Sequence, residues 1–120
     1  MEFTNMELLN MKGPLQELVK SKFPAKTSLE LVRMVRAINE KLIPVEEVRD
    51  KLVREYGTND GSGNIGLKPG DANWEQFNEE FGEIIQETVE IATKPVFIPG
   101  TVEVEPAVVM ILERLIRIAE

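Results

Sequence analysis

The side chains best placed to do chemistry are the carboxylates crowded into residues 71–90. This stretch, DANWEQFNEEFGEIIQETVE, holds seven acidic side chains and no basic one. Most of them form a row spaced by four residues with one neighbour beside it: Glu75, Glu79, Glu83 and Glu87, with Glu80. On a helix, like charges four residues apart repel by about 0.2 to 0.5 kcal/mol per pair. The row therefore requires cations from elsewhere.

Three interpretations of the acidic row are open. Its carboxylates are solvated or paired with bases of this chain, or they meet a basic surface on a protein partner, or they imitate the phosphates of DNA. Consecutive carboxylates would rise by about 6 Å along a helix, close to a phosphate repeat. The bases available for internal pairing are Lys20, Lys22, Lys26, Arg33, Arg36, Lys51 and Arg54.

A second candidate is the connection TNDGSGNIGLKPGDAN, in which oxygen-bearing side chains recur at Asp60, Ser62 and Asn64. A calcium loop of the EF-hand type requires glycine at its sixth position and glutamate at its twelfth. Ile65 and Asp71 occupy those positions, so we expect ordinary tight turns and no metal site. The stretch GSGNIG lacks the lysine of a phosphate-binding loop and the dinucleotide fingerprint. We therefore expect no cofactor.

Composition excludes several kinds of catalysis. The chain of 120 residues has no cysteine and no histidine, which excludes the usual zinc sites and the Cys and Ser-His nucleophile systems. Glycosidase-like or metal-dependent hydrolysis by carboxylates needs acids that face each other in a cleft. A row along one helix face does not supply that arrangement. We therefore expect no enzyme activity and assign no catalytic residue.

The net charge of −7 comes from the acidic stretch, since the charges of the other segments sum to zero. An acidic chain without a basic stripe is not expected to bind nucleic acid directly. No apolar run is long enough to cross a bilayer, and the opening residues lack the pattern of a secretory signal. We expect a cytoplasmic protein that contacts no membrane.

Three capping boxes indicate where helices begin. They pair Thr4 with Glu7, Thr27 with Glu30, and Asn73 with Gln76, where Asp71 is a rival cap. Gly13-Pro14 interrupts the first helix, and we expect a kink or a break there.

The second helix has the strongest periodicity, a coiled-coil-like seam. The seam is formed by Leu31, Val35, Ile38, Leu42, Val45, Leu52 and Tyr56, with Arg49 filling the gap between Val45 and Leu52. Either the helix kinks at Pro44 or a new helix begins with Pro44 at its first position. Because the seam keeps its phase across Pro44, we favour one long kinked helix, capped by Gly57.

The acidic stretch also carries an apolar stripe at helical spacing. The stripe consists of Trp74, Phe77, Phe81, Ile84 and Ile85. Packed on the seam, it predicts an antiparallel helical hairpin over about 27–90, with the glycine-rich connection at its tip.

From Val89 the period changes to two, through residues 96–98 to Val102 and Val104. This pattern predicts a small antiparallel sheet, with Pro99-Gly100 at the centre of a type II turn.

Pro106 opens a last amphipathic helix. Its apolar side contains Val108, Val109, Leu112, Leu115 and Ile116. That side packs on the first helix or forms a partner or oligomer surface, for which Leu112 and Ile116 are the candidates.

Together these elements predict a mainly α (α+β) fold in a single domain over 1–120. The kinked N-terminal helix and the helical hairpin come first. The β element and the C-terminal amphipathic helix follow at about 89–120.

Four segments resemble small uncharacterised proteins of phages and prophages of Gram-positive bacteria: MEFTNMELLN, PAKTSLELVRMVRAINEKL, REYGTNDGSGNIGL and WEQFNEEFGEIIQETVEI. These motifs are structural and carry no known active site. The resemblance implies a phage origin, a place in the host-cell cytoplasm or the virion, and a non-enzymatic role.

Two roles follow from this resemblance. The first is protein–protein interaction in virion structure or assembly, with a homo-oligomer among the assemblies it allows. The second is inhibition of a host defence or DNA-processing protein, whose basic surface the acidic helix would cover.

Overall fold

The structure is a computed structural model, and it describes residues 1–59 and 65–119. Within those ranges the helices are α1 (Asn5–Leu18), α2 (Ala25–Tyr56), α3 (Trp74–Ile85) and α4 (Pro106–Leu112). The strands are β1 (Glu2–Thr4), β2 (Thr58–Asn59), β3 (Ile65–Gly66), β4 (Thr88–Glu90), β5 (Val96–Pro99) and β6 (Ile116–Ala119). The predicted mainly helical fold with a small antiparallel β element is confirmed.

Helix α1 begins at the predicted capping box. The Glu7 N–H donates to the Thr4 hydroxyl at 3.1 Å, and the Thr4 N–H donates to Glu7 Oε1 at 3.0 Å. The helix continues through Gly13-Pro14, so it is not broken there. A proline inside a helix costs roughly 3 kcal/mol, but apolar burial on both sides of it, at about 1.5 to 3 kcal/mol per large side chain, is larger. The buried stripe is Leu8, Met11, Leu15 and Leu18.

Helix α2 begins earlier than predicted, because Pro24 and not Thr27 is its N-cap residue. The Pro24 carbonyl accepts the Ser28 N–H at 3.0 Å, and no side chain caps this end. The second capping box is therefore wrong, and Thr27 lies in the first turn. At the other end, Gly57 is the C-cap residue, with its N–H donating to the Val53 carbonyl at 2.6 Å. The helix runs unbroken through Pro44.

The apolar seam of α2 is buried as predicted, with one change of phase near its start. Met34 is buried there, whereas Val35 is only half-buried. The buried seam residues are Leu31, Met34, Ile38, Leu42, Val45 and Leu52. Helix α3 packs back on α2, and the Asn73 amide donates to the Tyr56 carbonyl at 3.3 Å where the two helices meet. This is the predicted antiparallel helical hairpin.

The tip of the hairpin is the antiparallel pair β2–β3, in which Thr58 faces Gly66 and Asn59 faces Ile65. Residues 60–64 lie outside the described residues. The tight turns predicted there lie in that gap. So do the residues compared above with a calcium loop, which are Asp60, Ser62 and Asn64.

The strand at Val89 pairs with a different segment from the one expected. β4 pairs antiparallel with β1, placing Val89 opposite Phe3, and the Ile91 N–H donates to the Met1 carbonyl at 2.7 Å. This pairing joins segments that are far apart in the chain and buries Phe3.

The expected antiparallel arm at Val102 and Val104 does not form, because β5 pairs in parallel with β6 instead. The turn spans Pro99–Val102, one residue later than predicted, with the Val102 N–H donating to the Pro99 carbonyl at 3.1 Å. Gly100 does not have the positive φ of a type II turn. Glycine suits this position because a Cβ would lie 2.9 Å from the Ala119 carbonyl oxygen.

Helix α4 is shorter than expected, and Leu115 and Ile116 lie beyond its end. The Leu115 carbonyl accepts the Val96 N–H at 2.8 Å, which starts the β5–β6 ladder. β-branched residues favour strands, and Ile116 and Ile118 take that conformation here. Both Leu115 and Ile116 join the core formed by α1, α2 and β5.

We predict that Leu112→Ala lowers the free energy of unfolding by about 2 to 5 kcal/mol, because it leaves a cavity in the core. Met110, on the same short helix, is 72% exposed whereas Leu112 is 0% exposed. Met110→Ala is the matched control, with an expected change within about 0.5 kcal/mol. Urea denaturation measures both, and equal losses would contradict this core.

Candidate functional site

Helix α3 carries the candidate site on the side opposite to its aromatic stripe. Phe77 is buried, and the other members of the stripe, Trp74, Phe81, Ile84 and Ile85, are half-buried. The ring of Phe77 lies 5.8 Å from that of Trp74 and 5.6 Å from that of Phe81, between centroids. These contacts join the rings along one side of α3, and the burial of Phe77 places that side inward, as the periodicity predicted.

Asn5 anchors the far end of α3. Its side-chain amide donates to the Ile84 carbonyl at 2.9 Å, and its N–H donates to the Glu87 carbonyl at 2.9 Å. Asn5 is 3% exposed, so these bonds are shielded from water. Sequence reasoning missed this residue, because its partners lie about eighty positions away and no local pattern signals them.

The start of α3 lacks the predicted capping box. Asn73 is the N-cap residue, but its side chain makes no capping bond and instead reaches the Tyr56 carbonyl. The rival cap, Asp71, accepts the Lys68 N–H at 3.0 Å and so closes the preceding turn. Both polar side chains thus hold in place the segment that leads into α3.

The acidic row is exposed to solvent. Glu75, Glu79, Glu80 and Glu83 lie on α3, and Glu87 follows its end. Among the described residues, no Lys or Arg nitrogen lies within 4 Å of these carboxylates, since the ion pairs there use other acids. The carboxylates are therefore solvated, and in the described part of the chain they are not paired with its bases.

The position of Glu87 reduces the helical row to three members. Glu87 lies between α3 and β4, where residues four apart no longer share a helix face. The like-charge pairs four residues apart within the helix are therefore Glu75–Glu79 and Glu79–Glu83. Their repulsion sums to roughly 0.4 to 1 kcal/mol.

Tyr56 contacts the acidic face from the end of α2. Hydrogen bonding of its hydroxyl with the Glu80 carboxylate is the main cause that raises the pKa of Tyr56 to about 12, and desolvation comes next. The nearby charges of Glu80 and Glu55 add to the shift. Glu80 is thus the member of the acidic face that acts on Tyr56 at the end of α2, although it is exposed like the others.

The second group of candidate residues is not on the surface. Leu112 is 0% exposed and Ile116 is 4% exposed, and both belong to the core. Their assignment to a partner or oligomer surface is therefore corrected. Leu112 on the short helix α4 and Ile116 on the strand β6 both point inward. One continuous helix through both residues would have left part of its apolar side uncovered.

Two further features bear on the classes of function. In the described part of the chain, no three acidic side chains are grouped closely enough to hold a metal ion. Across residues 1–59 and 65–119, no helix has the length and apolar character that a membrane span requires.

Comparison of the chain with protein-family models, with curated proteins and with solved structures gives no match.

We predict that Glu80→Gln lowers the pKa of Tyr56 from about 12 toward its ordinary value near 10, because an amide carries no charge. Tyr56 is the one tyrosine of the chain, so alkaline titration of its absorbance reads this group alone. Glu83→Gln, on the same exposed helix, is the control and should leave the titration near 12. A Tyr56 pKa unchanged by Glu80→Gln would contradict the contact.

Proposed function

We propose that this chain is a non-enzymatic, phage-encoded protein–protein interaction protein that binds a basic surface of its partner through the acidic face of α3. The observation that carries the proposal is a row of exposed carboxylates with no cation beside it in the described residues. A basic partner would remove the repulsion and supply the missing counter-charges.

The rigidity of the face supports this use. Helix α3 packs on α2 and Asn5 holds its far end, so the carboxylates are positioned before a partner arrives. A preorganised surface loses less conformational entropy on binding than a mobile one. Opposite charge also speeds association by steering the partner toward the face.

Of the two phage roles, the inhibitory one gains support. A role in assembly through Leu112 and Ile116 would need those side chains at the surface, and they are buried. The acidic face needs no such rearrangement. We therefore place the partner among basic host proteins of defence or DNA processing, in the host-cell cytoplasm.

Imitation of DNA is not needed to explain the face. The three carboxylates on α3 extend over roughly 12 Å of helix, at 1.5 Å per residue, which is about two phosphate steps. A patch of a few Lys or Arg side chains on a protein matches that length.

The test changes Glu75, Glu79, Glu83 and Glu87 to Gln and uses the tagged protein to capture partners during phage growth in the native host. The wild type should retain a basic host protein, with affinity that falls steeply as salt shortens the screening length. The Gln variant should lose that protein, because the attraction is electrostatic.

The matched control removes the same number of charges elsewhere. Glu40, Glu47, Glu55 and Glu103 are exposed and form no ion pair among the described residues, and their Gln variants should bind as the wild type does. Retention of the partner by the α3 variant, or equal loss in both variants, would refute the proposal.

We also predict that Glu79→Gln with Glu83→Gln makes the chain more stable by roughly 0.4 to 1 kcal/mol, because two like-charge pairs are removed while Glu75 keeps its favourable place in the first turn of α3. Thermal unfolding at low salt measures this gain. The gain should shrink at high salt, where the repulsion is screened. A loss of stability would instead mean that these carboxylates make contacts within the folded chain.

A further inference from the structure

A groove of about 300 Å³ lies between the first third of α2 and the segment that leads into β5. One side is formed by Glu30, Arg33 and Met34, and the other by residues 92–97. The size is at the lower end of sites that hold small organic molecules. The acidic face does not contribute to it.

The cations of this groove have no partner in the described residues. Arg33 and Lys94 are both exposed, and no carboxylate oxygen lies within 4 Å of either side-chain nitrogen there. Glu30 is the one acid in the lining, so the groove has a net positive lining on a chain of net charge −7. Arg33 also offers a planar fork of donors that fits carboxylate or phosphate.

The groove also has an apolar part, formed by buried and exposed side chains. Met34 and Val96 are buried and form its floor, whereas Phe97 is 62% exposed. Phe97 lies directly opposite Arg117 in the β5–β6 register. An exposed aromatic ring beside unpaired cations is suited to a ligand with both an apolar body and a negative group.

The wall of the groove is held in place before any ligand binds. The Thr93 N–H donates to the Ile91 carbonyl at 2.9 Å, and the Val96 N–H donates to the Leu115 carbonyl at 2.8 Å. Pro95, between them, restricts the backbone further. The Arg117 guanidinium is committed to the Glu113 and Ile116 carbonyls, which leaves Arg33 and Lys94 to meet an anion.

We propose that this groove binds a small organic anion, with Arg33 and Lys94 holding its carboxylate or phosphate and Phe97 covering its apolar part. The floor of Met34 and Val96 supplies the remaining apolar contact. This site is independent of the acidic face, so its test does not depend on the proposed function.

The probe is phenyl phosphate, titrated into the full ¹⁵N-labelled chain and followed by amide chemical shifts. We expect saturable shifts at Arg33 and at residues 93–97. Benzylamine, which has the same ring and the opposite charge, should give none. Inorganic phosphate should bind more weakly, because it cannot use Phe97.

Two variants test the assigned residues. Arg33→Gln with Lys94→Gln should weaken phenyl phosphate about tenfold or more, because two charge-assisted hydrogen bonds are lost. Phe97→Ala should weaken phenyl phosphate and leave the weak binding of inorganic phosphate unchanged. The control is Lys51→Gln with Arg54→Gln, which removes two exposed cations from the other end of α2 and should change neither affinity.

Three outcomes would overturn the proposal. These are the absence of saturable shifts with phenyl phosphate, an equal response to benzylamine, and full affinity in the Arg33 and Lys94 double variant. Because the changed side chains are exposed, we expect all variants to fold, and the amide spectra report this directly.

Discussion

Burial of the apolar seam of α2 is the constraint on which the rest of the structure depends. α1, α3 and β5 all pack on this helix, and its side chains from Leu31 to Leu42 join the central core. Apolar burial also explains why Pro14 in α1 and Pro44 in α2 are tolerated inside helices. Each lost backbone bond and ring clash costs roughly 3 kcal/mol, whereas several large side chains are buried beside each proline at about 1.5 to 3 kcal/mol apiece.

The exposed acidic face follows from the same constraint. Because α3 must place its aromatic stripe on α2, its glutamates have to lie on the opposite side, in solvent. Their mutual repulsion, roughly 0.4 to 1 kcal/mol, is smaller than the gain from burying Phe77 alone, at about 1.5 to 3 kcal/mol. The fold can therefore carry this charge cluster without internal cations, which leaves the carboxylates free for a partner.

Local patterns predicted several of the features that local forces decide, although the capping boxes expected at Thr27 and Asn73 do not form. The Thr4 capping box, the seam of α2 and the stripe of α3 depend on residues a few positions apart, so period and spacing were sufficient. The pairings of β1 with β4 and of β5 with β6 join distant segments, and no local signal contains them. The burial of Leu112 and Ile116 follows from the second pairing, and the role of Asn5 from the contact of α1 with α3. The groove at Arg33 was missed for the same reason, since Lys94 and Phe97 reach it only through the tertiary fold.

Distance and screening reconcile a cationic groove with a chain of net charge −7. Arg33 lies about 35 Å from Tyr56 along α2, at 1.5 Å per residue. α3 runs back from Tyr56 for only about 18 Å, so Glu75, Glu79 and Glu83 lie beside the half of α2 that is farther from Arg33. At physiological salt the screening length is about 8 Å, so exposed charges farther apart than that are largely screened from each other. The net charge of the chain therefore describes neither surface. The acidic face of α3 should bind a basic ligand, and the groove at Arg33 and Lys94 should bind an anionic one.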